Sequence, residues 1–490
     1  MKTLNKLIIF IVLVLATISC SDDFLEQEPT NKLSDDVILS STDALEVAIN
    51  GSYRSLASYA LDGLFYEGMA DVRSGDAVMA SASNYGWFIN PYRFNLTATS
   101  RYSVWPWEVA YEVIDNANVI INNIEQVPGD ETEKNQLYGE ALCLRAYSYM
   151  LLATMFADKP YSVNPDAMCV PLRLSSKDVA NDPHLARASV GDVYNQIIED
   201  LLEAEPLLGF VRTGRFSQRA AQGLLARAYL AMENWEQASS WAATCHGGQE
   251  LQTEDMTSGF FDYNNETIFG YDFTDTDNNI FLSHPSFWYL DGPGSGNLYG
   301  YSTLLYTPEF VSIFDANDAR NMFIRSDTTL VEEVGAIASN FFGVAAHYTY
   351  KFRHRNDFLG QARLIRMRVA EMYLIEAEAE AQLTHDVNAQ QALFEVQSRS
   401  IPGATQSTFT GAALLDEIYL ERRKELYGEG FGVWDLMRLQ LPVDRSSPVH
   451  WGYTEDIIPA NADILSLPIP QDEIDANDLI NEEDQNPAYN

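Results

Sequence analysis

The stretch that decides the fold reads LARAYLAMENWEQASSWA and covers residues 225–242. Within it, Ala226, Tyr229 and Ala238 fall at the small–Tyr–Ala spacing of a tetratricopeptide unit, with Trp235 between them. The small residues let the two helices of such a unit approach closely, and the aromatic residues fill the groove between units. This stretch therefore predicts helical repeats.

Apolar residues at helical spacing recur on both sides of this unit. They run over residues 142–156, 190–204, 221–232 and 370–381. The chain of 490 residues is long enough for two or three domains or for one large helical array. Together these observations predict a mainly α fold built of tetratricopeptide-type repeats.

The composition changes sharply after Trp241. No Lys or Arg occurs over residues 228–319, and residues 260–310 hold 14 aromatic side chains in 51 positions. Gly and Pro cluster in the same region, at residues 291–296. Such a stretch indicates long loops and short strands, and loops held by a rigid scaffold commonly carry binding sites.

The first 19 residues are predicted to be a targeting segment. Lys2 and Lys6 precede the apolar run 7–16, which is too short to span a bilayer. Ser19 and Cys20 then form a lipoprotein cleavage site, so that Cys20 would carry the lipid. The alternative is an ordinary signal peptide that happens to be followed by a cysteine.

The charge excludes one class of partner. The chain has 31 Lys and Arg against 70 Asp and Glu, a formal net charge of −39, and a pI of about 4.3. Binding to nucleic acid needs a basic surface that neutralises phosphates, so no nucleic-acid partner is expected. An anionic membrane surface is excluded by the same argument.

Several separated motifs follow one another along the chain. The most specific lie in the C-terminal third, where Glu421-Arg422-Arg423 precedes Trp434-Asp435-Leu436, and Leu467-Pro468-Ile469-Pro470 precedes Gln485-Asn486-Pro487. Earlier motifs lie at residues 20–29, 107–124, 139–147, 187–204 and 368–379. In this order they resemble the motifs of the SusD/RagB family of outer-membrane nutrient-binding lipoproteins. There are two departures: Ala488 replaces a usual Gly, and residues 396–399 match the family pattern only in part.

The resemblance implies a SusD-like fold of tetratricopeptide-type helices with a loop-rich variable region. We expect a lipoprotein signal peptide at 1–19, a helical scaffold at 20–250 and a variable aromatic region at 251–345. The helical scaffold is expected to return at 346–440 and to end in a C-terminal SusD-like tail at 441–490.

The resemblance also implies a function. The expected protein is lipid-anchored in the outer membrane, faces the exterior, and partners a SusC-like TonB-dependent transporter. It is not an enzyme: it captures oligosaccharides and delivers them to the transporter. A peptide-binding importer component of the same family is the alternative, and a secreted all-helical glycosidase is the alternative outside the family.

Aromatic and amide side chains in two loops are the candidate ligand-binding residues. Sugars present flat C–H faces to aromatic rings and hydroxyl groups to amides and carboxylates. The first loop supplies Asn84, Tyr85 and Trp87, and the second supplies Trp288, Tyr289, Tyr299 and Tyr301. Trp288 is the preferred single candidate. For each ring, burial in the core is the alternative, and Trp105 and Trp107 are assigned to packing.

Arg73 and Asp76 lie near the first loop and resemble a polar element of the family, although Gly75 departs from its usual acid. The pair would either bind sugar hydroxyls or form a structural ion pair, and we favour the second. The missing Lys and Arg over residues 228–319 favour a neutral glycan, because anionic glycans are held by arginine.

Two further constellations are rejected. Glu421, Glu425 and Glu429 share one helix face, whereas the two carboxylates of a glycosidase flank a sugar across a cleft. With Arg422 and its neighbours they indicate a salt-bridged surface or packing face. Asp275, Asp277 and Asn279 begin like a calcium loop, but Ile280 and Ser286 replace its Gly and Glu. No cofactor is expected, and a looser calcium site stays open.

Overall fold

Helices dominate the chain in a computed structural model. The model describes residues 35–80, 84–175, 184–211, 214–260, 262–272, 282–288, 303–325, 346–353, 362–452 and 455–490. Its helices are α1 (Asp35–Ile38), α2 (Thr42–Leu56), α3 (Phe65–Val72), α4 (Ile89–Tyr92), α5 (Arg101–Asn123), α6 (Glu131–Phe156), α7 (Val190–Ala204), α8 (Gln218–Ala231), α9 (Trp235–His246), α10 (Thr253–Thr257), α11 (His284–Trp288), α12 (Pro308–Val311), α13 (Val369–Gln382), α14 (Asp386–Ser400), α15 (Ala412–Glu425), α16 (Gly432–Arg438) and α17 (Gln471–Ala476). The predicted mainly α class is confirmed.

Side-chain caps fix where the long helices begin. The first free N–H groups of a helix lack intrahelical partners, and a Ser, Asp or Asn just before the helix accepts from them. Such caps are Ser41 before α2, Ser100 before α5, Asp130 before α6, Ser189 before α7, Ser217 before α8 and Asn234 before α9. The starting positions of the scaffold helices are therefore set by the local sequence.

The helices pack as a succession of neighbours, as tetratricopeptide-type repeats do. In this order α2 packs on α5 and α6, α6 on α7, α7 on α8, α8 on α9, α9 on α13, and α13 on both α14 and α15. The sequence unit 225–242 forms the α8–α9 pair, as predicted. Gly223 of α8 also packs closely against Met367 of the strand at residues 364–368, because a Cβ there would lie 2.2 Å from the Met367 sulfur.

Short antiparallel strands lie beside the helical scaffold. They are β1 (Ala77–Met79), β2 (Met168–Pro171), β3 (Arg187–Ser189), β4 (Thr267–Tyr271), β5 (Leu304–Tyr306), β6 (Phe323–Arg325), β7 (His347–Thr349), β8 (Leu364–Arg368), β9 (Val443–Asp444) and β10 (Ile457–Ile458). One sheet has the order β1-β5-β7-β6, and the other pairs are β2–β3, β4–β8 and β9–β10. Residues 364–368, just before the helical pattern at 370–381, form β8 by pairing with β4. The predicted unit boundaries stay predictions.

The strand β5 ties two distant parts of the chain together next to the first candidate loop. It pairs with β1 in the register Ala77–Tyr306, and the Ala80 N–H donates to the Thr303 carbonyl at 2.8 Å. The Thr303 N–H in turn donates to the Phe287 carbonyl at 3.1 Å. Residues 287 and 303 therefore lie side by side, close to the end of β1.

A buried ion network occupies the centre of the C-terminal half. Arg368 pairs with Glu425 at 3.0 Å and with Glu429 at 2.7 Å, while Arg399 donates to Glu425 at 2.5 Å. Arg320 pairs with Glu421 at 2.5 Å. The carboxylates proposed as a surface or packing face are thus inside the protein, where only paired charges are tolerated.

Burial alone would raise the pKa of Glu425. The guanidinium groups of Arg399, Arg368 and Arg320 outweigh that effect and hold its pKa well below its usual range. Burial also opposes the ionised form of Glu429, and Arg368 and Lys351 again outweigh it and lower the pKa. Both carboxylates are therefore charged and fully engaged in the core.

The described part of the chain shows the state of three cysteines and the character of its helices, but it does not include every candidate feature. Cys143, Cys169 and Cys245 are free and buried. In the described ranges no helix combines the length and the apolar character needed to cross a bilayer. The expected lipid attachment at Cys20 and the rejected calcium loop at Asp275, Asp277 and Asn279 lie outside the described residues.

Candidate ligand-binding site

The first candidate loop is a turn with an unusual backbone. The Asn84 side chain accepts from the Gly86 N–H at 3.0 Å and donates to the Ala80 carbonyl at 2.7 Å. Tyr85 and Phe88 have φ of 54°, the left-handed region that non-glycine residues seldom adopt. Asn84 is buried and holds this turn, so its role is to shape the loop rather than to face a ligand.

Trp87 lies half-buried at the centre of this loop. Its ring meets Tyr59 edge to face at 6.4 Å and Phe287 at 6.4 Å. The Arg101 guanidinium carbon lies 4.1 Å from the ring centre, and Arg101 also donates to the Gly86 carbonyl at 3.0 Å. The loop and its ring are therefore held by the first residue of α5.

Four aromatic side chains in this neighbourhood retain exposed surface, and we call them the aromatic face: Tyr59, Tyr85, Trp87 and Trp105. Tyr85 is 70% exposed, which makes it the most accessible ring of the set. Tyr59 contacts Trp105 at 6.0 Å, so three of the rings form one contiguous group. Beneath them, the buried Phe65 stacks on Trp105 at 5.9 Å and gives the group a rigid base.

Trp288, the preferred candidate, is not at the surface. Its side chain is fully buried, and its ring stacks on His284 at 4.3 Å. The indole N–H donates to Asp71 at 3.2 Å and to the Tyr306 hydroxyl at 3.0 Å. Both ring and donor are used inside the protein, so we correct the assignment of Trp288 from ligand platform to core residue.

Arg73 and Asp76 also have internal roles, and they do not pair with each other. The buried Arg73 donates to the carbonyls of Ile464 and Leu465 at 2.8 and 2.9 Å, which ties α3 to the C-terminal tail. Asp76 accepts from Arg423, with one bond of 2.7 Å. The favoured ion pair between Arg73 and Asp76 is therefore not formed, and each side chain instead bonds to a distant part of the chain.

Gly75 departs from the family pattern for a physical reason. Its φ is +88°, and a Cβ at this position would lie 2.2 Å from the Asp444 carbonyl oxygen. An acidic side chain would require the backbone at Asp444 to move. The close packing of residues 73–76 against β9 therefore explains why glycine occupies position 75.

The structure brings the roots of the two candidate loops together, because Phe287 contacts both Trp87 and Phe88. The remaining second-loop candidates, Tyr289, Tyr299 and Tyr301, lie outside the described residues. Their place in the site stays a prediction.

Sequence reasoning missed three residues of this neighbourhood. Trp105 was assigned to packing although part of its ring is exposed, and Arg101, which holds Trp87, was not selected. Their spacing of four residues on α5 is the signal that could have linked them, since such residues share a helix face. Nothing in the sequence points to Tyr59.

Comparisons with known proteins agree with this architecture. Residues 23–230 match the family model described as starch-binding and associating with the outer membrane, and residues 339–489 match the model of the SusD family. Together the two matches cover most of the chain. The chain belongs to the SusD/RagB family. Proteins of this SusD-like family bind carbohydrate and are associated with the outer membrane.

Individual SusD-like proteins match along nearly the whole chain. SusD-like protein P2 of Formosa agariphila is 25% identical, over 98% of this chain and 99% of its own length. A SusD superfamily structure from Bacteroides thetaiotaomicron has a TM-score of 0.80 at 26% identity, covering 91% of this chain and all of its own. A SusD-like carbohydrate-binding protein from Bacteroides vulgatus has a TM-score of 0.77 at 28% identity, covering 91% and 98%.

Proposed function

We propose that this SusD-like chain captures neutral oligosaccharides at the cell surface through its aromatic face. One observation carries the proposal: Tyr59, Trp87 and Trp105 form a contiguous, half-buried group on a rigid base, with the exposed Tyr85 in the same loop as Trp87. Rings of this kind offer flat apolar surfaces to the C–H faces of sugars. The carbohydrate-binding relative from Bacteroides vulgatus supports the same class of ligand.

The expected strength of binding suits a protein that must release its ligand. Burying about 60 Å² of apolar surface on each ring contributes about 1.5 kcal/mol. Three rings then contribute about 4–5 kcal/mol before ordering costs, which corresponds to dissociation constants of about 0.2–1 mM. A ligand held this weakly can be passed on.

The charges near the aromatic face favour a neutral glycan. Arg101 is the cation in contact with Trp87, and it is already engaged by that ring and by the Gly86 carbonyl. Residues 228–319 contribute no Lys or Arg, and the chain as a whole is strongly acidic. A uronate or sulfated chain would therefore meet repulsion that one engaged arginine does not offset.

Delivery to a transporter is the second part of the proposal. The expected lipid at Cys20 would hold the protein on the outer membrane, facing the exterior, because several acyl chains anchor a protein durably where a single chain does not. We propose a SusC-like TonB-dependent transporter as the partner that receives the oligosaccharide. Family membership and the lipoprotein signal in the sequence support this step.

Native affinity electrophoresis of residues 21–490 tests the ligand class. The protein is run through gels that contain neutral or acidic polysaccharides, and the eluted polysaccharide is checked for released reducing ends. We expect retardation by a neutral polymer without its degradation. Retardation by acidic polymers alone would overturn the neutral-glycan proposal, and released reducing ends would point to the glycosidase alternative.

A peptide ligand is the second candidate, favoured by one observation. The net charge of −39 would attract basic peptides through long-range electrostatics. Protection of Trp87 fluorescence from acrylamide quenching by a lysine-rich peptide, and not by glycans, would favour this alternative.

A further inference from the structure

A cavity of about 310 Å³ lies between α15 and α16, and none of the four residues of the aromatic face lines it. Its walls are mostly apolar, with Leu426 and Leu436 inside and the partly exposed Leu420 and Leu441 among its lining residues. Small-molecule sites in proteins are concave, mainly apolar and of this size, with a few polar groups that fix the ligand. The shape and lining thus fit a molecule with an apolar body.

The charged groups that line the cavity are predominantly acidic. They are Asp71, Asp76, Asp435, Asp444, Arg422 and Arg423. Asp76 pairs with Arg423, and Asp435 pairs with Arg422 at 2.7 Å. Among the described residues, no cation forms an ion pair with Asp71.

Asp71 is the polar group placed to receive a ligand. It is buried, and one of its oxygens, Oδ2, accepts from the Tyr306 hydroxyl at 3.0 Å and from the Trp288 N–H at 3.2 Å. These two donors fix the carboxyl group at the wall of the cavity. Burial, helped by the nearby Asp76 carboxylate, raises its pKa to about 7 against the opposing effects of the Tyr306 hydroxyl, Lys351 and the Trp288 N–H.

Arg422 supplies a buried donor without a hydrogen-bond partner among the described residues. Its side chain is buried, its Nε donates to Asp435, and its Nη1 has no hydrogen-bond partner within the described residues. A buried donor without a partner is costly, so such groups commonly mark the place of a ligand or an ordered water. A ligand for this cavity would therefore offer a carbonyl or hydroxyl oxygen as well as a group that binds a carboxylate.

We propose that this cavity binds a small amine with an apolar body, whose ammonium group meets Asp71 and whose oxygen meets Arg422. An ammonium group compensates the lining carboxyl that has no cationic partner, and the leucine walls remove the apolar body from water. This site is separate from the aromatic face, so it stands or falls independently of glycan binding.

L-leucinamide is the probe, because it combines an amine, a carbonyl oxygen and an isobutyl group. Its matched control is 4-methylpentanamide, which lacks only the amine. Calorimetric titrations use the mature chain from residue 20 with Cys20→Ser, which keeps the protein free of lipid. We expect saturable binding of L-leucinamide at least about tenfold tighter than that of the control.

Two variants locate the site. Asp71→Asn keeps an acceptor for Tyr306 and Trp288 but removes the charge, and it should weaken L-leucinamide at least about tenfold while changing the control less than twofold. Leu441→Trp narrows the cavity at an exposed position and should abolish binding of both, whereas Leu479→Trp, at an exposed leucine elsewhere, should leave it unchanged. Equal affinity for the two probes, or binding unaffected by Leu441→Trp, would overturn the proposal.

Discussion

The guanidinium of Arg101 lies 4.1 Å from the centre of the Trp87 ring, and the same side chain donates a hydrogen bond to the Gly86 carbonyl. One residue thereby fixes both an aromatic ring and the strained backbone that presents it. At the proposed glycan site the loop would not have to be ordered on binding, so less of the binding energy would be lost to ordering.

Removal of the Trp87 ring should weaken glycan binding. Trp87→Ala removes about 1.5 kcal/mol of stacking, or roughly tenfold in affinity, for whichever polysaccharide retards the parent protein. The matched control is Trp241→Ala, which removes another half-buried tryptophan from α9, far along the scaffold. Affinity electrophoresis measures both, and equal retardation of Trp87→Ala and the parent would remove Trp87 from the site.

Coupling between Arg101 and Trp87 should be measurable in the stability of the protein. A cation over an indole ring at a partly exposed position contributes about 0.5–1 kcal/mol. A double-mutant cycle of Arg101→Ala and Trp87→Ala, followed by urea unfolding, should give a coupling free energy in this range. Strictly additive effects would mean that the contact contributes nothing to the folded state.

The buried Trp288 should matter for stability and not for binding. Trp288→Phe removes the N–H that donates to Asp71 and Tyr306, and it leaves a gap in a closely packed region. We expect the free energy of unfolding to fall by about 1–3 kcal/mol, with glycan affinity within twofold of the parent. Urea unfolding measures the stability, and gel retardation measures the glycan affinity. A loss of retardation without a loss of stability would show that Trp288 contacts the ligand.

Breaking the buried ion network should strongly destabilise the folded protein. Glu425→Gln leaves Arg320, Arg368 and Arg399 with less negative charge in the core, and we expect a loss of about 3–5 kcal/mol in the free energy of unfolding. The pKa of Glu425 is depressed in the folded state, so its stabilising effect is present above the carboxyl's usual pKa and is lost as the pH falls. The variant should therefore show a weaker loss of stability in acid, measured by urea unfolding between pH 3 and 7.

Asp71 should give the stability of the protein a pH dependence opposite to that given by Glu425. Its folded-state pKa of about 7 lies above the usual value of 3.8, so the folded protein retains a proton that the unfolded chain releases. The stability of the parent should therefore decline relative to Asp71→Asn as the pH rises from 5 to 8, by about 2–3 kcal/mol. If the free energies of unfolding of the parent and Asp71→Asn differ by the same amount at every pH, the pKa of Asp71 is not raised in the folded protein.

The helical scaffold could be predicted because its information is local. Small residues such as Ala226 and Ala238, together with capping residues such as Ser217 and Asn234, determine where α8 and α9 begin and how closely they pack. Each of these features acts within a few residues, so the sequence displays it directly.

The site could be predicted only in part, because burial of an aromatic ring depends on distant partners. The buried Trp288 donates to Asp71, which is 217 positions away in the sequence. Asp76 accepts from Arg423, which is 347 positions away. The composition around Trp288 gave no sign of these contacts. Trp87 was selected by the same reasoning and does retain exposed surface, which shows that residue type alone does not separate the two cases.

The side-by-side placement of residues 287 and 303 has a consequence for how this protein can diversify. Because the Thr303 N–H donates to the Phe287 carbonyl, the intervening segment leaves and re-enters the scaffold at one point, next to Trp87. Because these two residues are already hydrogen-bonded to each other, a longer or shorter connection can join them at the same two points. The number of residues between positions 287 and 303 can thus vary, in evolution or by design, while the pairing of β1 with β5 stays the same.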